Sequence, residues 1–197
     1  MKRILAGTML AATLLGLSAC AKPKEPASSG KTLRVASLGD MTTMDVAKTT
    51  DDYFVPQNIF DRLFEIKVQP DGSTEIVKSL CEDYTVSDDG LTYTFQLRQD
   101  VKFSNGNALT AEDVKYTFVR LLTAGGVNDD IPLEVVGAEA LQNGEAADLS
   151  GITVNGDYSL NITLAAPNAG FLAELTAPAM SIVDKETCES VSNFGMA

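Results

Sequence analysis

Histidine and tryptophan are absent from the 197 residues, cysteine occurs three times, and aromatic residues make up 7%. The missing histidine removes the commonest metal ligand and the commonest general base at neutral pH. Serine and threonine are plentiful, but no imidazole is there to activate them, and no Gly-x-Ser-x-Gly turn appears. A phosphate-binding P-loop and a dinucleotide-binding glycine pattern are missing too. Basic residues are scarce: 15 Lys and Arg stand against 27 Asp and Glu, a formal net charge of −12. Phosphate backbones call for clustered cations, so nucleic acid is excluded as a partner. These absences imply no enzyme chemistry, no metal and no cofactor in the residues at hand.

What is present is the composition of a folded body, 45% hydrophobic and 21% charged, long enough to bury a core. Its start differs from the rest. Lys2 and Arg3 precede an uncharged run from Ile4 to Leu17, rich in Leu and Ala, that is short for a bilayer span and suits a secretory signal. The run ends Leu17-Ser18-Ala19-Cys20, similar to the bacterial lipobox, which implies a signal peptide over 1–19 and lipid attachment to Cys20. An ordinary signal peptide followed by a chance cysteine is the alternative. Residues 20–31 carry Pro, Ser and Gly without apolar periodicity and read as a flexible tether. Cys81 and Cys188 remain, to pair or to lie buried separately.

From residue 32 the pattern turns regular. Thr32 to Leu38 alternates as a strand, and a polar loop follows from Gly39 to Asp45. Asp51 or Asp52 caps a helix with Val55, Ile59, Phe60 and Leu63 on one face. Phe64, Ile66 and Val68 form a strand closed by Pro70-Asp71-Gly72. Tyr84 and Val86 end another, and Ser87-Asp88-Asp89-Gly90 turns the chain into Leu91, Tyr93, Phe95 and Leu97 at every second position. Thr110 caps a helix that buries Val114, Phe118, Leu121 and Leu122 and stops at Gly125-Gly126. Glu134 to Gln142 reads as a helix, Ile152 to Leu164 as a hairpin, Ala169 to Leu175 as a short helix, and Met180, Ile182 and Val183 as a strand. Helices mixed with hairpins give a mixed α/β class. The paired carboxylates Asp88/Asp89 and Glu112/Asp113 look catalytic, but a turn wants the first pair and a helix N-terminus the second.

"YTVSDDGLTYTFQLRQDVKFSNGNALTAEDVKYTFVRLL", Tyr84 to Leu122, resembles the signature region of the family 5 extracellular solute-binding proteins, the dipeptide- and oligopeptide-binding type that serve ABC importers. Weaker likeness extends through Asn58–Glu65, Gly137–Gly144 and Tyr158–Leu172. The resemblance implies a periplasmic-binding-protein-like fold of type II, in which residues 32–197 are the N-terminal part of the first of two hinged lobes, and implies that the chain is a truncated member. It further implies capture of a peptide or similar small solute outside the cell, delivery to ABC permease subunits, a lipid-anchored, extracytoplasmic location at the cell membrane, and a monomer. Two segments are expected to face ligand: Asp40, Met41, Thr42 and Thr43 in the first loop, and Asn128 and Asp129 after the signature helix. Their other reading is as ordinary surface loops. Two rival functions are a secreted or cell-wall hydrolase with its catalytic groups elsewhere, and a peptide-sensing signalling lipoprotein.

Overall fold

The computed structural model describes residues 41–50 and 53–195, all within one compact unit spanning Asp40–Ala197. The leader, Cys20, the tether, the strand expected over 32–38, Asp40 and the capping Asp51 and Asp52 lie outside the described residues.

In chain order the elements are α1 (Pro56–Ile59), β1 (Phe64–Val68), β2 (Thr74–Lys78), β3 (Cys81–Val86), β4 (Thr92–Leu97), α2 (Ala111–Thr123), α3 (Asp130–Leu133), α4 (Ala138–Gln142), β5 (Ile152–Gly156), β6 (Ser159–Thr163), α5 (Phe171–Glu174), a 3₁₀ turn (Pro178–Met180) and α6 (Lys185–Ser190). The class is mixed α/β. Strands β3-β4-β6-β5 form an antiparallel sheet, and β1-β2 a separate hairpin. No helix of the described residues is long and apolar enough to cross a membrane.

The alternation read in β4 explains the sheet. Tyr93, Phe95 and Leu97 point into the core, Phe95 with no exposure at all, while Gln96 faces solvent. Phe95 lies opposite Tyr84 on β3 and Leu160 on β6, and Tyr93 opposite Ile162, so aromatic and branched side chains meet across the ladder. Helix α2 covers the same face with Val114, Phe118, Leu121 and Leu122. Phe64, the first residue of β1, reaches into this core edge-on to Tyr84 at 5.5 Å and Phe95 at 6.1 Å. The rest of the hairpin stands away from it: Ile66, Val68 and Ile76 are exposed. The turn Ser87 to Gly90 is closed by Asp89, whose carboxylate accepts from Ser87 Oγ and the Leu91 amide.

Four expectations need correction. The helix expected to reach Leu63 is a single turn, α1; the chain is extended at Phe60, and Ile59 faces solvent. The helix expected over Glu134–Gln142 is broken at Gly137, which has φ +82° and lies where a Cβ would fall 2.3 Å from Ser150 Oγ. Val135 and Val136 instead extend the sheet, with a Val135–Leu164 bridge and a Val136 amide bond to Thr163 O. Of the strand expected at Met180, Ile182 and Val183, Met180 ends the 3₁₀ turn and residues 181–183 join no strand, because the Ile182 amide goes to Asp61 O and the Val183 amide to Thr117 Oγ1. Helix α6 follows, capped by Asp184 through the Glu186 amide, where no element was anticipated.

Candidate ligand-facing site

The polar side of α2 builds the site. Asp113, Thr117 and Arg120 follow one another at i, i+4 and i+7, next to the apolar stripe, so all three turn inward on one flank. Asp113 closes the helix start: its Oδ2 accepts from the Thr110 amide at 2.9 Å and Thr110 Oγ1 at 2.8 Å. Its Oδ1 accepts from the Lys185 amide at 3.0 Å. Thr117 Oγ1 takes the Val183 amide at 3.1 Å and donates to Asp113 O. One turn on, Arg120 meets the loop that begins the described chain. Nη1 and Nη2 each lie 2.6 Å from an oxygen of Asp45, a bidentate pair in which Asp45 is 1% and Arg120 13% exposed by side chain. Asp45 lifts the Arg120 pKa further above its ordinary value.

Asp45 also shapes its own loop. Its Oδ1 accepts from the Ala47 amide at 3.1 Å, and its carbonyl from the amides of Lys48 and Thr49. Thr43 Oγ1 accepts the Asp45 amide and donates to Gly195 O at 3.1 Å, while the Met44 amide donates to the same carbonyl at 2.7 Å. Gly195, at φ +78°, passes so close that a Cβ would stand 2.3 Å from the Asp45 nitrogen. Phe194 lays its ring 5.2 Å from the Arg120 guanidinium. The outcome is a cleft of about 390 Å³ between loop 42–48, Arg120 and residues 191–194, with Cys188 in its wall. Burial pushes the Cys188 thiol up to about 11. Two wider depressions, near 470 and 640 Å³, are shallower; the first is edged by Glu112, Asp113, Asp184 and Glu186, the second lies between Lys78 and Asp100.

The two expected binding segments prove to be neighbours. Asn128 Nδ2 donates to the carbonyls of Val46 and Thr49, both at 2.9 Å, so it braces the first loop. Gly126 makes the approach possible, since a Cβ there would meet Ala47 O at 1.7 Å. Thr42 and Thr43 line the cleft, and Met41 lies half-buried at the start of the loop. Asp129 sits at the N-terminal end of α3 and accepts from Gln142 Nε2. The sequence reading missed Arg120 and Phe194, and it took Asp45 only as the end of the cleft-facing loop Gly39 to Asp45, with no role of its own. Its available signal was the polar stripe of α2, where Asp113 was assigned to capping alone and Thr117 and Arg120 to nothing.

Chemically, the cleft offers backbone groups and an aromatic ring beside a neutralised ion pair. It is suited to hydrogen-bonding a polar solute. Among the described residues, no group of three or more Cys, Asp or Glu could hold a metal ion.

Residues 75–193 match the family described as bacterial extracellular solute-binding proteins, family 5. The dipeptide-binding protein of Escherichia coli K12 is 31% identical over 196 residues, covering 92% of this chain and 35% of its own length. The dipeptide-binding protein of Lactococcus lactis is 28% identical, covering 92% and 33%. In three dimensions the substrate-binding domain of an oligopeptide ABC transporter from Bacillus anthracis superposes with a TM-score of 0.71 at 27% identity, over 79% of this chain and 30% of that one. The chain thus spans about a third of the length of the relatives it matches.

Proposed function

The chain belongs to the bacterial extracellular solute-binding proteins of family 5, and from that premise we propose that it supplies one wall of a peptide-binding cleft. Loop 41–45 is the ligand-facing edge, with its backbone groups meeting the main chain of a short peptide. The observation that carries this reading is the buried Asp45–Arg120 pair, which fixes a polar, irregular loop on a rigid helix beside an open cleft. Asn128 and Gly126 serve as the brace behind it.

Supporting the peptide class are the dipeptide-binding names of the relatives. A second wall closes over the solute in the two-lobed arrangement, and one wall alone buries only part of a ligand, so the 197-residue chain binds weakly. Cys20 carries the lipid that holds the protein outside the membrane, and the closed form hands its solute to permease subunits of an importer. The net charge of −12 favours neutral or cationic peptides over anionic ones.

Saturation-transfer NMR tests the ligand class, since it detects millimolar binding. A mixture of di- and tripeptides is expected to receive saturation from the chain, and a matched mixture of mono- and disaccharides none. Transfer to the sugars alone, or to neither set, contradicts the reading.

A further inference from the structure

Arg62, between α1 and β1, is only 9% exposed. Its Nε and Nη1 are enclosed by protein, and neither has a hydrogen-bond partner. The remaining nitrogen, Nη2, lies 3.6 Å from Glu65 Oε1, beyond hydrogen-bond reach, and that carboxylate is 40% exposed. The contrast with Arg120, which places two nitrogens at 2.6 Å from one carboxylate, is internal to the molecule.

A guanidinium keeps its proton, so burial cannot neutralise it. Enclosed N–H groups without acceptors carry a desolvation cost until an acceptor arrives. The backbone that carries the side chain is held on both sides. Leu63 O accepts from the amides of Ser79 and Cys81, Arg62 O from Leu80, and Asp61 O from Ile182. Lys78 pairs with Asp83 and Arg98 with Asp100, so neither shares Glu65 with Arg62. A single planar guanidinium matches a planar carboxylate, which it can meet with two parallel N–H groups.

We propose that Arg62 is a docking point for a carboxylate, which enters by displacing Glu65 from Nη2 and leaves Glu65 its bond from Ser79 Oγ at 3.3 Å. The carboxylate comes either from a small free acid or from an Asp or Glu side chain of another polypeptide segment. This docking point stands apart from loop 41–45 and does not depend on the peptide reading.

Thermal melting of the 197-residue chain tests it, in sodium acetate against sodium chloride of equal ionic strength. In parallel, chloride solutions carry N-acetyl-Gly-Glu-Gly-amide, whose sole carboxylate is a side chain. Wild type is expected to melt about 2–4 °C higher with at least one of the two carboxylates, and the arm that responds names the source. Arg62→Met is expected to show neither rise and to melt no lower than wild type in chloride, because it removes an unpaired buried charge. Glu65→Gln removes the competing carboxylate and enlarges the rise. Equal behaviour of wild type and Arg62→Met in both arms overturns the proposal. So does an Arg62→Met chain that melts well below wild type in chloride, or a Glu65→Gln chain whose rise is unchanged or smaller.

Discussion

Asp45→Asn tests the anchor of the site. The substitution keeps the shape of the side chain and removes its charge, leaving Arg120 buried beside Phe194, Tyr116 and Cys188 without a carboxylate. With charge centres about 4 Å apart, two unit charges attract by roughly 4 kcal/mol at an effective dielectric of 20. Removing one partner of such a buried pair costs about 3–5 kcal/mol, because the survivor stays desolvated. For a chain of this size each kcal/mol lowers the melting temperature by about 2–4 °C, so a fall of roughly 6–20 °C is expected. Arg120→Met alone strands Asp45, which is 1% exposed, and costs a similar amount. With both changes no charge is left uncompensated, and the double variant recovers about 2 kcal/mol or more of the summed loss. Urea midpoints supply the free energies, and the coupling persists in 0.5 M salt, where an exposed pair would be screened. The reasoning is refuted if Asp45→Asn costs less than about 1 kcal/mol, or if the two changes add to within about 0.5 kcal/mol.

Three further outcomes follow from the same packing. Asp113→Ala loses both bonds from Thr110 and the bond from the Lys185 amide, and lowers stability by about 2–3 kcal/mol in urea unfolding, more than a surface cap alone. Gly126→Ala drives a methyl group into Ala47 O, so loop 46–49 must shift; hydrogen exchange of the Lys48 and Thr49 amides is expected to quicken at least tenfold. Burial holds the Cys81 thiol up to about 12 and the Cys188 thiol up to about 11, against an ordinary value of 9.0. Both are neutral when folded, whereas the unfolded chain ionises above pH 9. Their contribution is therefore complete below pH 9 and lost as pH rises through 11 to 12. Cys81→Ala is expected to flatten that alkaline decline, read as the urea midpoint against pH, and an undiminished decline counts against it.

Much of the fold was legible because its signals are local. Period-two alternation at Tyr93, Phe95 and Leu97 and the Thr110 start of α2 depend on few residues and no partner, and both stand as read. The failures came where a distant group decided the outcome. Glu134 to Gln142 has helical composition, but the approach of Ser150 to Gly137 and the pairing of Val135 with Leu164 break it. Met180, Ile182 and Val183 read as a strand, yet Met180 closes a 3₁₀ turn and the amides of Ile182 and Val183 are claimed by Asp61 and by the side chain of Thr117. The site was half legible. Polar loops flagged Thr42, Thr43 and Asn128, but the Asp45–Arg120 pair spans 75 residues, and no local pattern announces such a partner. Asn128 was flagged as a ligand contact, and the structure gives its amide to Val46 and Thr49.

The most direct measurement is residue-resolved: amide chemical shifts of the ¹⁵N-labelled chain during titration with a di- and tripeptide mixture. The account predicts shifts concentrated in residues 41–45, with a smaller response in 126–129 through the Asn128 brace. Shifts confined to other surfaces, or none at any peptide concentration that saturation transfer shows to bind, would contradict it.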